Sequence, residues 1–281
     1  IMLSALLVLK YVPNDIIGDT APYKWDVIGI LLFASLMISW MVFLLTLESG
    51  FNIWMMILSV VLTLFFYFYE KEKAEPFINV NFLRKNLNIS LIYVQYILAT
   101  IIFFAMLLFM PTYFQKELLL DSKTAGMMML SLSVFAMVMT PIATRWTERN
   151  GFRIPLLFGA IVGIGGVGLL FTASHTSPLF WLVAILAIIG ISNGALSISS
   201  QNLLYSLIAK EQSGIASGLL MTSRFLGNIL ASSIYGVVFV SGISDENKNS
   251  MTVVLLLVSL MMIPGLLYIT KKRAIVGNEK L

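Results

Sequence analysis

The stretch Leu87–Tyr113, LNISLIYVQYILATIIFFAMLLFMPTY, runs for 27 residues without one charged side chain. As a helix rising 1.5 Å per residue it exceeds the roughly 30 Å hydrocarbon core of a bilayer. No strict period of two marks it as a barrel strand. Composition carries the same message across the chain. Hydrophobic residues make up 59% of 281 and charged residues 11%, with a mean hydropathy of +0.93. A chain this apolar cannot hide its surface in one water-facing core, so its solvent is lipid.

Working outward, apolar runs of spanning length recur at Val27–Leu47, Ile53–Tyr69, Ala125–Thr144, Ile154–Ala173, Leu179–Ile208, Gly214–Val240 and Met251–Thr270. Leu179–Ile208 exceeds what a bilayer needs and is expected to continue beyond it as helix. The expected fold class is therefore all-α, a polytopic transmembrane helical bundle. Connections are short and polar, with Pro13, Pro22, Gly50, Pro76, Pro111, Gly151, Pro178 and Gly242 marking many of them. Residues 1–10 hold an apolar run too short to span. They are expected to be the tail of a truncated transmembrane helix, since no basic stretch precedes them as in a signal peptide.

The net charge of +4 and pI near 9.2 do not indicate nucleic acid, because the basic residues lie singly or in small groups between hydrophobic runs. Of the 18 Lys and Arg, only Lys116, Lys123 and Lys248 fall on one side of the alternating spans, and Arg224 lies within a span. All the others fall on the opposite side. The positive-inside rule makes that side cytoplasmic, together with the C-terminus. The most polar internal stretch, residues 70–86, reads as a cytoplasmic linker. Its Pro76, Phe77, Ile78, Phe82 and Leu83 form either a short amphipathic piece on the membrane surface or part of a solvated loop.

Arg224 lies about 15 Å past Gly214 along its helix, near the bilayer midplane. Facing lipid there would cost about 2.5–3.5 kcal/mol, so it is expected to face the bundle interior or a wet cavity. It either holds polar groups of an adjacent helix or contacts a substrate. Gly214, Ser217, Met221, Arg224, Asn228, Ala231 and Tyr235 recur at spacings of three and four, one small and polar stripe. The preceding span carries Gly190, Gly194, Ser197, Gln201 and Tyr205, flanked by Asn193 and Asn202. Gln95, Tyr96, Thr100, Phe103 and Phe104 add amide, hydroxyl and aromatic groups suited to an apolar or cationic solute. The candidate cavity set is Gln95, Tyr96, Thr100, Phe103, Phe104, Asn193, Ser197, Gln201, Arg224 and Asn228. Helix packing through small residues is the competing reading for each. GIASG at Gly214–Gly218 and GAIVG at Gly159–Gly163 are read as such packing.

Every Asp and Glu falls at a helix end or in a connection, so no mid-membrane proton carrier is expected here unless Glu48 is more buried than its position suggests. His175 reads as a solvated loop residue. With no cysteine, disulfides, thiolate metal sites and cysteine nucleophiles are excluded. No phosphate loop or metal-ligand cluster is found, so neither metal nor cofactor is expected. An enzyme is disfavoured, since His175 and the candidate serines Ser213 and Ser217 lie on opposite sides.

The segment PIATRWTERNGFR, Pro141–Arg153, resembles the cytoplasmic loop signature of the major facilitator superfamily through Glu148, Arg149, Gly151 and Arg153, with Thr144 in place of the opening glycine. Residues Lys210–Gly236, through Gln212, Gly214, Ala216, Ser217, Gly218, Thr222, Arg224 and Gly227, resemble the fourteen-span drug:proton antiporter branch, and MPTYFQ at Met110–Gln115 followed by Thr124–Gly126 adds to the likeness. Phe225 stands where that branch often has Gln.

The resemblance implies the C-terminal six-helix half of a major facilitator fold over residues 87–270, an extra central helix pair over residues 26–69, the linker 70–86 and a cytoplasmic tail over 271–281. It implies a multi-pass plasma-membrane protein that exports hydrophobic or cationic drug-like small molecules against protons, through a cavity shared with a missing N-terminal half. Arg145, Glu148, Arg149, Gly151 and Arg153 would form a gating loop whose salt bridges lock one conformer. A non-transporting scaffold or sensor is the alternative.

Overall fold

The structure, a computed structural model, describes residues 26–47, 50–73, 76–78, 80–209 and 213–277. The expected helix tail at residues 1–10, Glu48 and the last four residues of the tail lie outside them. Among the described residues every regular element is helical. They are α1 (Val27–Thr46), α2 (Ile53–Glu72), α3 (Val80–Lys85), α4 (Leu87–Lys116), α5 (Ser122–Asn150), α6 (Arg153–Leu169), α7 (Leu179–Tyr205), α8 (Ser213–Val238) and α9 (Asp245–Gly277), with a 3-10 turn at Leu170–Thr172. All except α3 and α8 are long and apolar enough to cross a membrane. The 26 residues of α8 are also long enough, but its Ser, Gly and Asn residues and Arg224 make it more polar than the others.

Local chemistry sets the ends. Asn52 caps α2 by accepting from the N–H groups of Trp54 and Met55 at 3.2 and 3.3 Å. Asp121 does the same for α5 from Lys123 and Thr124, both at 3.1 Å. Gly151 ends α5 with φ +74°, a conformation that a side chain would strain.

Helices α4 and α7 form the centre, with α4 packed on α8, α9, α7 and α5, and α7 packed on α5 and α6. The α1/α2 hairpin joins this bundle at α8, where Leu219 packs against Leu36, Phe66 and Ile78. Lipid is as apolar as leucine, so helices in it are held by close fit and hydrogen bonds rather than by hydrophobic expulsion. Close fit is visible at α5/α7. A Cβ added to Gly190 or Gly194 would collide with the carbonyl oxygens of Leu132 and Ala136. At α6/α7, Ser192 donates to the Gly159 carbonyl at 2.7 Å, and a Cβ on Gly163 would lie 2.5 Å from Ser192 Oγ. The packing expected for GAIVG is present.

Five expectations are corrected. Pro111 does not mark a connection but lies inside α4, which runs on to Lys116; a helix at membrane depth tolerates the one hydrogen bond that proline removes. Helix α5 continues to Asn150, so Arg145, Glu148 and Arg149 occupy its last turns, and the expected loop shrinks to Gly151 and Phe152. Helix α9 begins at Asp245, because its polar first turns are held by the facing loop. Phe77 and Ile78 pack into the hairpin rather than onto a membrane surface, Phe77 with its ring centroid 5.7 Å from that of Phe33. Of GIASG, Ala216 packs into the core but the two glycines do not, since a Cβ on Gly214 or Gly218 would meet nothing within 4 Å.

Gly190→Val should lower the thermal midpoint of the purified protein by an overpacking cost of about 1–3 kcal/mol, whereas Gly218→Ala should leave it unchanged. Equal effects at the two positions in a thermal-shift measurement would contradict this assignment of the close contact.

Candidate substrate cavity

Three helices turn polar faces toward one another. Helix α4 contributes Tyr96, Thr100, Phe103, Phe104 and Leu107, spaced by three, four and one so that they follow one side of the helix. Helix α7 contributes Asn193 and Ser197, and α8 contributes Arg224 and Asn228. Together they line a cavity of about 240 Å³. A second hollow of about 370 Å³ continues from it, lined by Gln201 and Tyr205 of α7 and by Gly214, Ser217, Gly218, Leu220 and Met221 of α8. Tyr96 and Arg224 line both and so stand at the junction.

The walls are fixed from behind. At Gly227 a Cβ would lie 2.9 Å from the Ile97 carbonyl oxygen and 2.8 Å from Thr100 Cβ, so α8 approaches α4 at backbone distance. Tyr93 donates to the Ala216 carbonyl at 3.3 Å. Thr100 returns its hydroxyl to the Tyr96 carbonyl at 2.8 Å, and Ser197 donates to Asn193 Oδ1 at 3.3 Å. Gln201 donates to the Tyr205 hydroxyl at 3.4 Å. These contacts orient the polar groups and leave several donors and acceptors facing the space.

Arg224 makes no ion pair or hydrogen bond with the described residues, and its side chain is exposed. It does not tie down a neighbouring helix, the bland alternative for an intramembrane arginine. The residue lines both hollows, and its guanidinium carries five N–H donors. Among the described residues no carboxylate lines either space, and Arg224 is the charged side chain in their walls.

Nine of the ten residues expected in the cavity line it or its extension. Gln95 does not. It is 3% exposed, lies on the core face of α4, and its amide nitrogen has no partner among the described residues. The α7 stripe also divides, with Gly190 and Gly194 packed on α5 while Ser197, Gln201 and Tyr205 face the space. Of the α8 stripe, Ala231 is buried in the core. Arg145, Glu148, Arg149, Gly151 and Arg153 are all exposed at the α5/α6 turn, and no ion pair joins them among the described residues.

Two polar clusters escaped the sequence reading. On the α4/α9 end, Tyr113 donates to Asp245 at 2.5 Å. His175, exposed as expected, nonetheless has Nδ1 3.1 Å from the same carboxylate. Lys248, 2% exposed, donates to the carbonyls of Leu170 and Ala173. At the opposite end, Lys73 pairs with Asp26 at 2.5 Å. Burial pushes the Asp26 carboxyl up, but hydrogen bonds from Lys73, the Gly29 N–H and Tyr69 outweigh it and hold the group below the usual carboxylate range. The Asp26 contact, followed by that of Tyr69, raises the Lys73 ammonium in turn.

This bundle with a polar central cavity belongs to the Major Facilitator Superfamily, whose model matches residues 26–232. The chain is thus a multi-pass membrane protein of a transporter family, not an enzyme. It is 30% identical over 261 residues to the uncharacterized MFS-type transporter YwoD of Bacillus subtilis strain 168, covering 92% of this chain and 58% of the relative. It is 23% identical to the riboflavin transporter RibZ of Clostridioides difficile strain 630, covering 88% of this chain and 54% of that protein. Over a shorter match, 52% of this chain and 28% of the relative, it is 28% identical to the multidrug resistance protein Stp of Mycobacterium tuberculosis. The chain spans about half the length of the first two relatives.

Because an unpartnered buried amide costs about 1–3 kcal/mol, Gln95→Met should leave the thermal midpoint unchanged or raise it. A clear fall in a thermal-shift measurement would mean that Gln95 has a polar role.

Proposed function

We propose that this chain is the substrate-facing portion of a secondary active transporter that exports hydrophobic, drug-like organic molecules across the plasma membrane in exchange for protons, its C-terminus cytoplasmic. The observation that carries the reading is the cavity around Arg224, an intramembrane charge turned to open space with no protein partner among the described residues. A cation costs too much at membrane depth to stand there without use.

The lining also narrows the substrate. Tyr96, Phe103 and Phe104 offer aromatic surface, Asn193 and Asn228 offer amide groups, and Arg224 supplies the charge. Such walls favour planar, uncharged or anionic aromatic compounds over cations, which the guanidinium repels. That class is compatible both with a relative named for multidrug resistance and with one named for riboflavin. The exposed charges of Arg145, Glu148, Arg149 and Arg153 are free to pair with a facing segment when the cavity changes access, with Gly151 setting the turn between α5 and α6.

The test is dye efflux from a drug-sensitive host expressing the full transporter, with the proton gradient intact or collapsed. Export of neutral or anionic dyes should require the gradient. Arg224→Ala should lower substrate affinity about tenfold or more, as follows from losing charged hydrogen bonds of about 1.5–3 kcal/mol, without lowering the amount inserted. Efflux that ignores the gradient contradicts the antiport mechanism. Unchanged efflux in Arg224→Ala contradicts the assignment of the site.

A further inference from the structure

The end of the hairpin where α1 begins and α2 finishes carries an unbalanced pair of buried carboxyl groups. Asp26 Oδ1 is fully engaged, accepting from the Gly29 N–H at 2.9 Å, the Tyr69 hydroxyl at 3.2 Å and Lys73 Nζ at 2.5 Å. Glu70 Oε2 accepts the Ile78 N–H at 3.1 Å. Among the described residues the remaining oxygens, Asp26 Oδ2 and Glu70 Oε1, have no hydrogen-bond partner, although the two residues are only 6% and 1% exposed. Both oxygens converge on one point above Gly29. A Cβ there would collide with Glu70 Oε1 and would lie 2.6 Å from Asp26 Oδ2.

Buried acceptors without donors are costly, and two carboxylates cannot both stay ionised at close range in a dry site. Among the described residues no further charge resolves the conflict. Lys73 is committed to Asp26 and Tyr69. Lys71 and Glu72 are exposed on α2, Arg84 and Lys85 are exposed on α3, and the nearest charge on α8 is Arg224, which faces the cavity. The covering Phe77 and Ile78 supply a backbone donor and no ionisable side chain. One hydrogen satisfies both orphaned oxygens. Placed on Glu70 Oε1, it turns that atom into a donor and gives Asp26 Oδ2 its missing partner.

We propose that Glu70 and Asp26 together form a proton-binding site that holds one exchangeable proton on Glu70, donated to Asp26. The proton comes from solvent and returns to it, with no other bond made or broken. Its release leaves two carboxylates against one ammonium and requires water at Glu70, which Phe77 and Ile78 exclude. Proton release is therefore coupled to displacement of Phe77 and Ile78 from over Glu70. The site stands independently of the export reading, since a protein that moved no solute would still hold this proton.

The experiment is infrared difference spectroscopy of the carboxyl stretch in the purified full-length protein in lipid nanodiscs, titrated with pH. The wild type should show a protonated carboxyl at neutral pH that is lost on alkalinisation. Glu70→Gln should remove a band worth one carboxyl per chain, and Asp26→Asn should shift its frequency by changing the acceptor. Thermal stability gives a second reading. Glu70→Gln, whose amide donates where the protonated acid does, should match the wild type at neutral pH and lose the wild type's alkaline destabilisation. Identical spectra for wild type and Glu70→Gln overturn the site. If that variant does not insert, an unshifted band in Asp26→Asn overturns it equally.

Discussion

The backbone contact of α7 on α5, at Gly190 and Gly194 against the carbonyls of Leu132 and Ala136, is the constraint from which the rest of the bundle follows. Within lipid the helices gain little by burying leucine against leucine, so association depends on how closely backbones approach. With α7 drawn onto α5 by one face, its neighbouring face at Asn193, Ser197 and Gln201 is turned toward α4 and α8. Gly227 completes the frame by bringing α8 onto α4 at Thr100. The cavity is what these two tight contacts leave between them. Its polar groups stand on rigid helices whose positions are set by atoms that never touch the cavity.

That division of labour explains how an arginine without an ion pair among the described residues is held inside the bundle. Arg224 lies on α8 about one turn before Gly227, so the glycine that fastens the helix also fixes where the guanidinium points. With Tyr96 beside it at the junction of two hollows, the charge borders both. The hairpin α1/α2 reaches the bundle through the same helix, at Leu219. One element therefore meets the cavity on one face and the proton-holding hairpin on another.

Much of this was legible in the sequence for a definite reason. Apolar runs of spanning length leave the backbone no alternative to helix, and spacings of three and four collected Tyr96, Thr100, Phe103, Asn193, Ser197, Arg224 and Asn228 on facing sides. Gln95 was misassigned because adjacent residues on a helix point about 100° apart, and polarity alone does not say which of two neighbours faces a cavity. The glycines of GIASG were misread for a related reason. Small residues let helices approach or leave room, and only the partner helix decides which. The buried carboxyls were illegible because Asp26 and Glu70 are far apart in sequence and each falls at a helix end, where charge normally meets water. Their burial comes from Phe77 and Ile78 folding back over them, a tertiary event with no local signature.

The central claim, that α4, α7 and α8 turn a common polar face to an open cavity, is tested most directly by single-cysteine labelling, which the absence of native cysteine in this chain favours. In the full transporter, with any other cysteine removed, Ser197→Cys and Asn228→Cys should react with a water-soluble maleimide and be protected by an exported dye, while Gln95→Cys should not react. Reaction at position 95 together with silence at 197 and 228 would contradict the placement of the cavity.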